Sequence, residues 1–134
     1  MRSISSFIVA LLLCFHTQAR AQSMNSEDTP CTKSFITSEL TACLEAAFKA
    51  ADLKLNQTYA KVRRALPAKE SAELARAQQL WIQYCNSTCK VEYDLYAGGT
   101  GGLPAHLACL EAETRAREAG LTRSFGWRLK KSGE

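Results

Sequence analysis

Residues 37–66 read TSELTACLEAAFKAADLKLNQTYAKVRRAL, an unbroken run without glycine or proline that ends at Pro67. Leu40, Cys43, Leu44, Ala47, Phe48, Ala51, Leu55, Tyr59, Val62 and Leu66 recur in it at steps of three and four. That spacing returns side chains to one face of an α-helix, so the run predicts one long amphipathic helix. Thr37 or Ser38 can cap its start and Glu39 suits the positive end of the helix dipole. At 1.5 Å per residue the helix is roughly 43 Å long.

Pro67 lacks an amide proton and fits best at the beginning of a second helix. Leu74, Ala77, Trp81, Tyr84, Cys85 and Thr88 form its stripe, which runs to about Ala97. The stretch Gly98-Gly99-Thr100-Gly101-Gly102 stops it, because each glycine costs backbone entropy in a helix. A third, shorter helix is expected from Pro104 to Ala119 with Gly120 as its C-cap. Glu111/Arg115 and Glu113/Arg117 are favourable i,i+4 pairs on it. Almost nothing alternates with the period of a strand. The expected fold is all-α: a small helical bundle built on a long antiparallel helical hairpin, with the third helix added.

A hairpin has consequences for the cysteines. Cys43 lies 24 residues before Pro67 and Cys89 lies 22 after it, so the two share a height far from the turn. Cys31, Cys85, Cys109 and the glycine loop belong to the same end, which disulfides would staple. Locality favours Cys31–Cys43 and Cys89–Cys109, each contributing on the order of 3 kcal/mol by loop closure. Cys43–Cys89 competes with them, and sequence does not choose. Cys85 is the odd thiol, either buried on the apolar face after Trp81, joined to another chain, or bridged to Cys43 or Cys89.

The beginning of the chain reads as an export signal at residues 1–21. Arg2 precedes the apolar run Ile4 to Phe15, and Ala19-Arg20-Ala21 suits cleavage after Ala21. Cys14 leaves with that segment. Of 134 residues, 113 then remain, enough for one domain with a modest core. Arg2 and Arg20 also leave, so 15 basic residues face 13 acidic ones, a net charge of +2. Near neutrality argues against nucleic acid or a membrane surface as the main partner. No later apolar stretch approaches spanning length. Residues 22–36 look like a loose lead-in, 37–121 like the helical domain, and 122–134 like a basic tail around Arg128-Leu129-Lys130-Lys131. A periplasmic or secreted location follows, where cysteines pair more readily than they bind metal.

The residues resemble a known family at several points. Ala51-Asp52, Leu55-Asn56 and Tyr59 are similar to a helix of the LprI-type lysozyme-inhibitor family. Ala77-Gln78, Trp81, Tyr84 and Cys89 are similar to its second motif. The glycine loop, Cys109-Leu110, Thr114, Arg117 and Leu121 follow its closing segment. The resemblance covers Cys31 to Leu121. One departure stands out, since Cys85 occupies a position where the family usually has arginine. If that arginine pairs with a carboxylate such as Asp52, Arg117 becomes the candidate partner here.

Asp52, Asn56 and Tyr59 fall on one face of the first helix. With Gln78, Trp81, Tyr84 and Arg117 they are expected to form a polar and aromatic network between helices rather than a ligand site. The resemblance implies that the chain binds and inhibits lysozyme by occlusion, without catalysis and without a cofactor. The blocking element would be Gly98, Gly99, Thr100, Gly101 and Gly102, unless those glycines merely turn the chain. The other reading is an envelope protein-interaction module of the same fold that does not touch lysozyme. An enzyme is not expected. His106 is the one histidine outside the signal segment, and no nucleophile elbow, phosphate loop or metal-ligand pattern occurs.

Overall fold

The structure is a computed structural model that describes residues 23–34 and 36–133. The expected signal segment, its cleavage point and Cys14 lie outside the described residues. A short 3₁₀ turn at Ser23–Asn25 is followed by α1 (Thr37–Ala65), α2 (Ala68–Asp94) and α3 (Gly102–Ser132). The described residues are helical with no strand, as the periodicity requires.

Side-chain pairs fix the arrangement. Lys54 and Thr58 of α1 both reach Glu118 of α3, and Arg128 of α3 reaches the carbonyl of Ala65. Numbers rise together, so α1 and α3 run parallel. Cys89 pairs with Cys109, Tyr84 with Glu113 and Gln78 with Arg117, so α2 runs antiparallel to α3. The result is an up-down-up bundle with α3 packed along both neighbours.

This corrects the expected division of labour. The α1–α2 hairpin is the weakest of the three helix pairings, and its polar contacts include Arg63 Nε donating to Ser71 Oγ beside the Pro67 turn. The third helix is the longest, not the shortest. Gly120 does not cap it. Leu121, Phe125 and Leu129 continue its apolar stripe into the cluster that holds Leu55, Val62 and Leu74. Burying them outweighs the roughly 1 kcal/mol that a helical glycine costs. The supposed tail is therefore helix, and it ends where Gly133 takes a left-handed φ of 74° and donates to the carbonyl of Leu129. Lys130 and Lys131 in the last turn suit its negative dipole end.

Two core clusters result. The one at the turn end holds Leu55, Val62, Leu74 and Leu121; the other holds Cys85, Cys89 and Cys109. Trp81 packs against both, half-buried rather than sealed inside. Pro67 stands at the N-cap of α2, as read. Ile36, not Thr37 or Ser38, is the N-cap of α1, with no side chain capping it. Cys43, on the second turn of α1, is instead tied back to Cys31.

The lead-in is not loose. Ser23 Oγ donates to Glu92 Oε1 at 3.0 Å, and Arg115 Nη1 reaches Asp28 Oδ2 at 3.1 Å. Thr29 is buried and donates to the carbonyl of Ser23. A turn-rich composition with no period hid the contacts to Glu92 and Arg115, because those partners lie some 60 to 90 positions away.

Candidate functional site

The disulfides place the glycine loop. Cys31 is bonded to Cys43 and Cys89 to Cys109, while Cys85 is a buried free thiol. Cys43–Cys89 does not form. Cys89–Cys109 spans the α2–α3 connection, with Cα atoms 5.4 Å apart, so both ends of the loop are held. His106 Nδ1 lies 3.1 Å from the carbonyl of Cys89, and its ring meets that of Tyr93 edge-on at 6.2 Å. His106 is thus part of this anchor.

Within the loop each glycine has its own setting. Ala97 and Gly98 have φ of 46° and 79°, the left-handed region that reverses the chain after α2. A Cβ on Gly101 would lie 2.4 Å from the Tyr96 ring, and one on Gly102 3.2 Å from the Tyr93 ring. Amides of Tyr96, Ala97, Gly99 and Gly102 donate back along the loop to carbonyls three residues earlier. The glycines therefore shape a compact, internally bonded turn with Thr100 exposed on it. Ile36 and Leu103 are also exposed at this end of the bundle.

The expected polar network is present only in pieces. Arg117 Nε donates to Gln78 Oε1 at 3.0 Å, and its guanidinium lies 6.0 Å from the centre of the Trp81 ring. Burial lowers the Arg117 pKa, partly offset by Tyr59. Asp52 does not join it. That carboxylate accepts from Asn56 at 2.9 Å on the exposed side of α1. Tyr59 packs on the turn-end core with Arg63 over its ring, and Tyr84 is mostly exposed with its hydroxyl 3.4 Å from Glu113. The sparse contact between α1 and α2 explains the split, since nothing on α2 comes close enough to bring Asp52 inward. Of the two i,i+4 pairs expected on α3, Glu111–Arg115 forms at 3.0 Å, whereas Arg117 turns to Gln78.

The polar centre that sequence reasoning missed is Glu118. It is buried between α1 and α3 and accepts from Lys54, Thr58 and Thr122. Burial works to raise its pKa, but those three hydrogen bonds prevail and hold the carboxyl below its usual range. The spacing Glu111, Thr114, Glu118, Leu121 was the available signal, because it repeats at helical steps on the buried face. Ala47, Ala50, Ala51, Lys54, Glu111, Arg115 and Glu118 line a groove of about 270 Å³ there, and its charged groups pair among themselves and with Asp28. The Cys85 thiol is pushed up to about 11 by burial and by Glu113, so it stays protonated at neutral pH.

Among the described residues no group of three or more His, Cys, Asp or Glu side chains is placed to hold a metal ion. No described helix is long and apolar enough to cross a membrane. The glycine loop is tethered at the disulfide-pinned end of the bundle. Residues 31–121 match the family described as "Lysozyme inhibitor LprI", from the first bridged cysteine to the core leucine of α3. The chain belongs to the LprI family. An uncharacterized protein of Rhizobium meliloti (strain 1021) is 31% identical over 126 residues, covering 84% of this chain and 88% of its own length. No solved structure matches. The LprI match contains both disulfides, the glycine loop, Trp81 and Glu118, but stops before Phe125 and Leu129.

Proposed function

We propose that this LprI-family protein is exported and inhibits lysozyme by inserting the Gly98–Gly102 loop into the catalytic cleft. The observation that carries this reading is the loop itself, pinned by Cys89–Cys109 and presenting Thr100 outward within a lysozyme-inhibitor family. Two disulfides agree with an oxidising compartment outside the inner membrane. Lysozyme works with two carboxylates, one held protonated, on either side of the sugar chain. A slim backbone with a hydroxyl at its tip reaches such a cleft, and a loop closed at both ends loses little entropy on binding. Ile36 and Leu103, exposed at the same end, would lie against the rim of the cleft. No bond is made or broken in this mode of action.

The test is a muramidase assay with the wild type and Thr100→Trp. Thr100 is exposed, so the variant should fold normally while its inhibition falls at least tenfold. Full inhibition by Thr100→Trp would remove the loop from the interface. Absence of inhibition by the wild type against every lysozyme class would leave the fold in the service of another envelope partner.

A further inference from the structure

Overall near-neutrality hides a separation of charge along the bundle. At the Pro67 end, residues 59–76 and 121–133 hold nine lysines and arginines against two glutamates. The other described residues hold six basic side chains against ten acidic ones. The C-termini of α1 and α3 each subtract about half a charge from the basic end and the N-terminus of α2 adds as much, so the excess survives. With 29 residues in α1, the two ends stand roughly 40 Å apart. Charges are screened over about 8 Å at physiological salt, so each end acts on a partner by itself.

The basic end is also where an aromatic ring stands out. Trp127 is 62% exposed, on the side of α3 away from Phe125 and Leu129, which pack on the core. Arg123 and Lys131 lie one turn before and after it, and Lys130 three residues on. Arg128 holds its guanidinium 5.6 Å from the centre of the Trp127 ring. Its Nε also reaches the carbonyl of Ala65, the last residue of α1, so the turn carrying Lys130 and Lys131 projects past α1. Among the described residues, no carboxylate pairs with Lys61, Lys69, Arg123, Lys130 or Lys131. Elsewhere the lysines of the helices are paired: Lys49 with Glu45, Lys54 with Glu118 and Lys90 with Asp94.

We infer that this end docks on an anionic lipid surface, with the Trp127 ring at headgroup depth and Arg123, Lys130 and Lys131 around it on lipid phosphates. Tryptophan favours the boundary between water and hydrocarbon, and cations near a negative membrane surface are attracted to it within a Debye length. Lysine stems lie along the apolar layer while their ammonium groups stay among the phosphates. A point charge on a flexible stem suits a fluid array of phosphates better than a folded acidic partner, whose carboxylates sit at fixed positions. One tryptophan and a few cations give reversible attachment, not insertion. The glycine loop, at the far end of the bundle, stays clear of the surface. Attachment and lysozyme inhibition are therefore separate properties, and either stands if the other fails.

Flotation with phosphatidylcholine vesicles, with and without phosphatidylglycerol, tests this on the chain from Gln22. That chain retains every described residue and lacks the apolar run Ile4 to Phe15, which would enter vesicles by itself. It should bind the anionic vesicles and not the neutral ones, and leave them as salt rises from roughly 0.1 to 0.5 M. Lys130→Glu with Lys131→Glu should weaken binding about tenfold or more, and Trp127→Ser about threefold or more. Helical circular dichroism should not change, because all three sites are exposed. Lys33→Glu with Lys49→Glu, the same change in net charge within the acidic part, should leave binding within about twofold. No binding to anionic vesicles at low salt overturns the inference, as does equal weakening by the Lys33 and Lys49 pair. So does a Trp127→Ser variant that binds as tightly as the wild type. Retention on immobilised heparin without vesicle binding would assign this end to an acidic polymer and overturn it too.

Discussion

Arg117 of α3 lies with its guanidinium 6.0 Å from the centre of the Trp81 ring and its Nε 3.0 Å from Gln78 Oε1, joining α2 to α3 where the two core clusters meet. Gln78 is buried, and Arg117 Nη2 is shielded from solvent with no hydrogen-bond acceptor. A partly satisfied charge of this kind is costly to break from one side only. Arg117→Met should destabilise the fold by about 1–3 kcal/mol in urea unfolding, because Gln78 is left unpaired. The double variant Gln78→Leu with Arg117→Met should recover most of that loss. If the double variant is as unstable as the sum of the singles, the Arg117–Gln78 bond is not what holds this contact.

Glu118 makes stability depend on pH. Its pKa is lowered in the fold by Lys54, Thr58 and Thr122 against the effect of burial. A carboxyl whose folded pKa lies below the unfolded value contributes stability that is complete above the unfolded pKa. That stability is lost as pH falls through the folded pKa. The difference in unfolding free energy between wild type and Glu118→Gln should therefore be largest near pH 7 and shrink below about pH 4, around the ordinary glutamate pKa. A difference that is flat from pH 7 to pH 3 would mean the carboxylate charge contributes nothing.

The way these residues became visible shows what a single sequence carries. The stripe from Leu40 to Leu66 and the break at Pro67 were legible because helix periodicity and proline are local signals. The family membership was legible in the order of Asp52, Asn56, Trp81 and Cys109. What was not legible was which helix sits between which. Gly120 reads locally as a stop, and only the landing of Phe125 and Leu129 on the Leu55, Val62, Leu74 and Leu121 cluster lets α3 run on. Asp52 and Glu118 reverse their apparent roles for the same reason. α3 packs closely against α1 while α2 does not, so the carboxylate on α3 is enclosed and the one on the α2 side stays wet.

Glycine positions in the loop should differ in their tolerance. Gly98 has φ of 79° with open space around it, so Gly98→Ala should cost about 1 kcal/mol from backbone conformation alone. Gly101 adopts an ordinary φ, but a Cβ there meets the Tyr96 ring, so Gly101→Ala should be rescued in part by Tyr96→Ala. Thermal melts of the two singles and the Gly101→Ala, Tyr96→Ala double variant check this. No rescue by the second substitution would mean that ring contact is not the source of the strain.

Cys85 should behave as one buried thiol with a pKa near 11. Thiol titration of the chain lacking residues 1–21, and Cys14 with them, is expected to find one reactive group after unfolding without reductant. In the folded protein at pH 8 labelling should proceed only as fast as the helices open, and should accelerate as pH rises toward 11. Rapid labelling at pH 7 would place Cys85 on the surface.

The segment beyond the family match offers the largest expected effect. Phe125 and Leu129 pack on the Leu55, Val62, Leu74 and Leu121 cluster, and Arg128 Nε donates to the otherwise unpaired carbonyl of Ala65 at the end of α1. Ending the chain after Leu121 removes two large partly buried side chains and that capping bond together. With about 1.5–3 kcal/mol for each apolar side chain when fully buried and about 1 for the hydrogen bond, the truncation should cost roughly 3–5 kcal/mol. That is a large share of the stability of a domain this small. Phe125→Ala alone should account for the greater part of the loss, while Lys130→Ser with Lys131→Ser, both near the exposed end of α3, should change stability by less than about 0.5 kcal/mol. Urea unfolding of the three variants decides the matter. A truncated protein as stable as the full chain would mean that residues 122–133 are a tail after all.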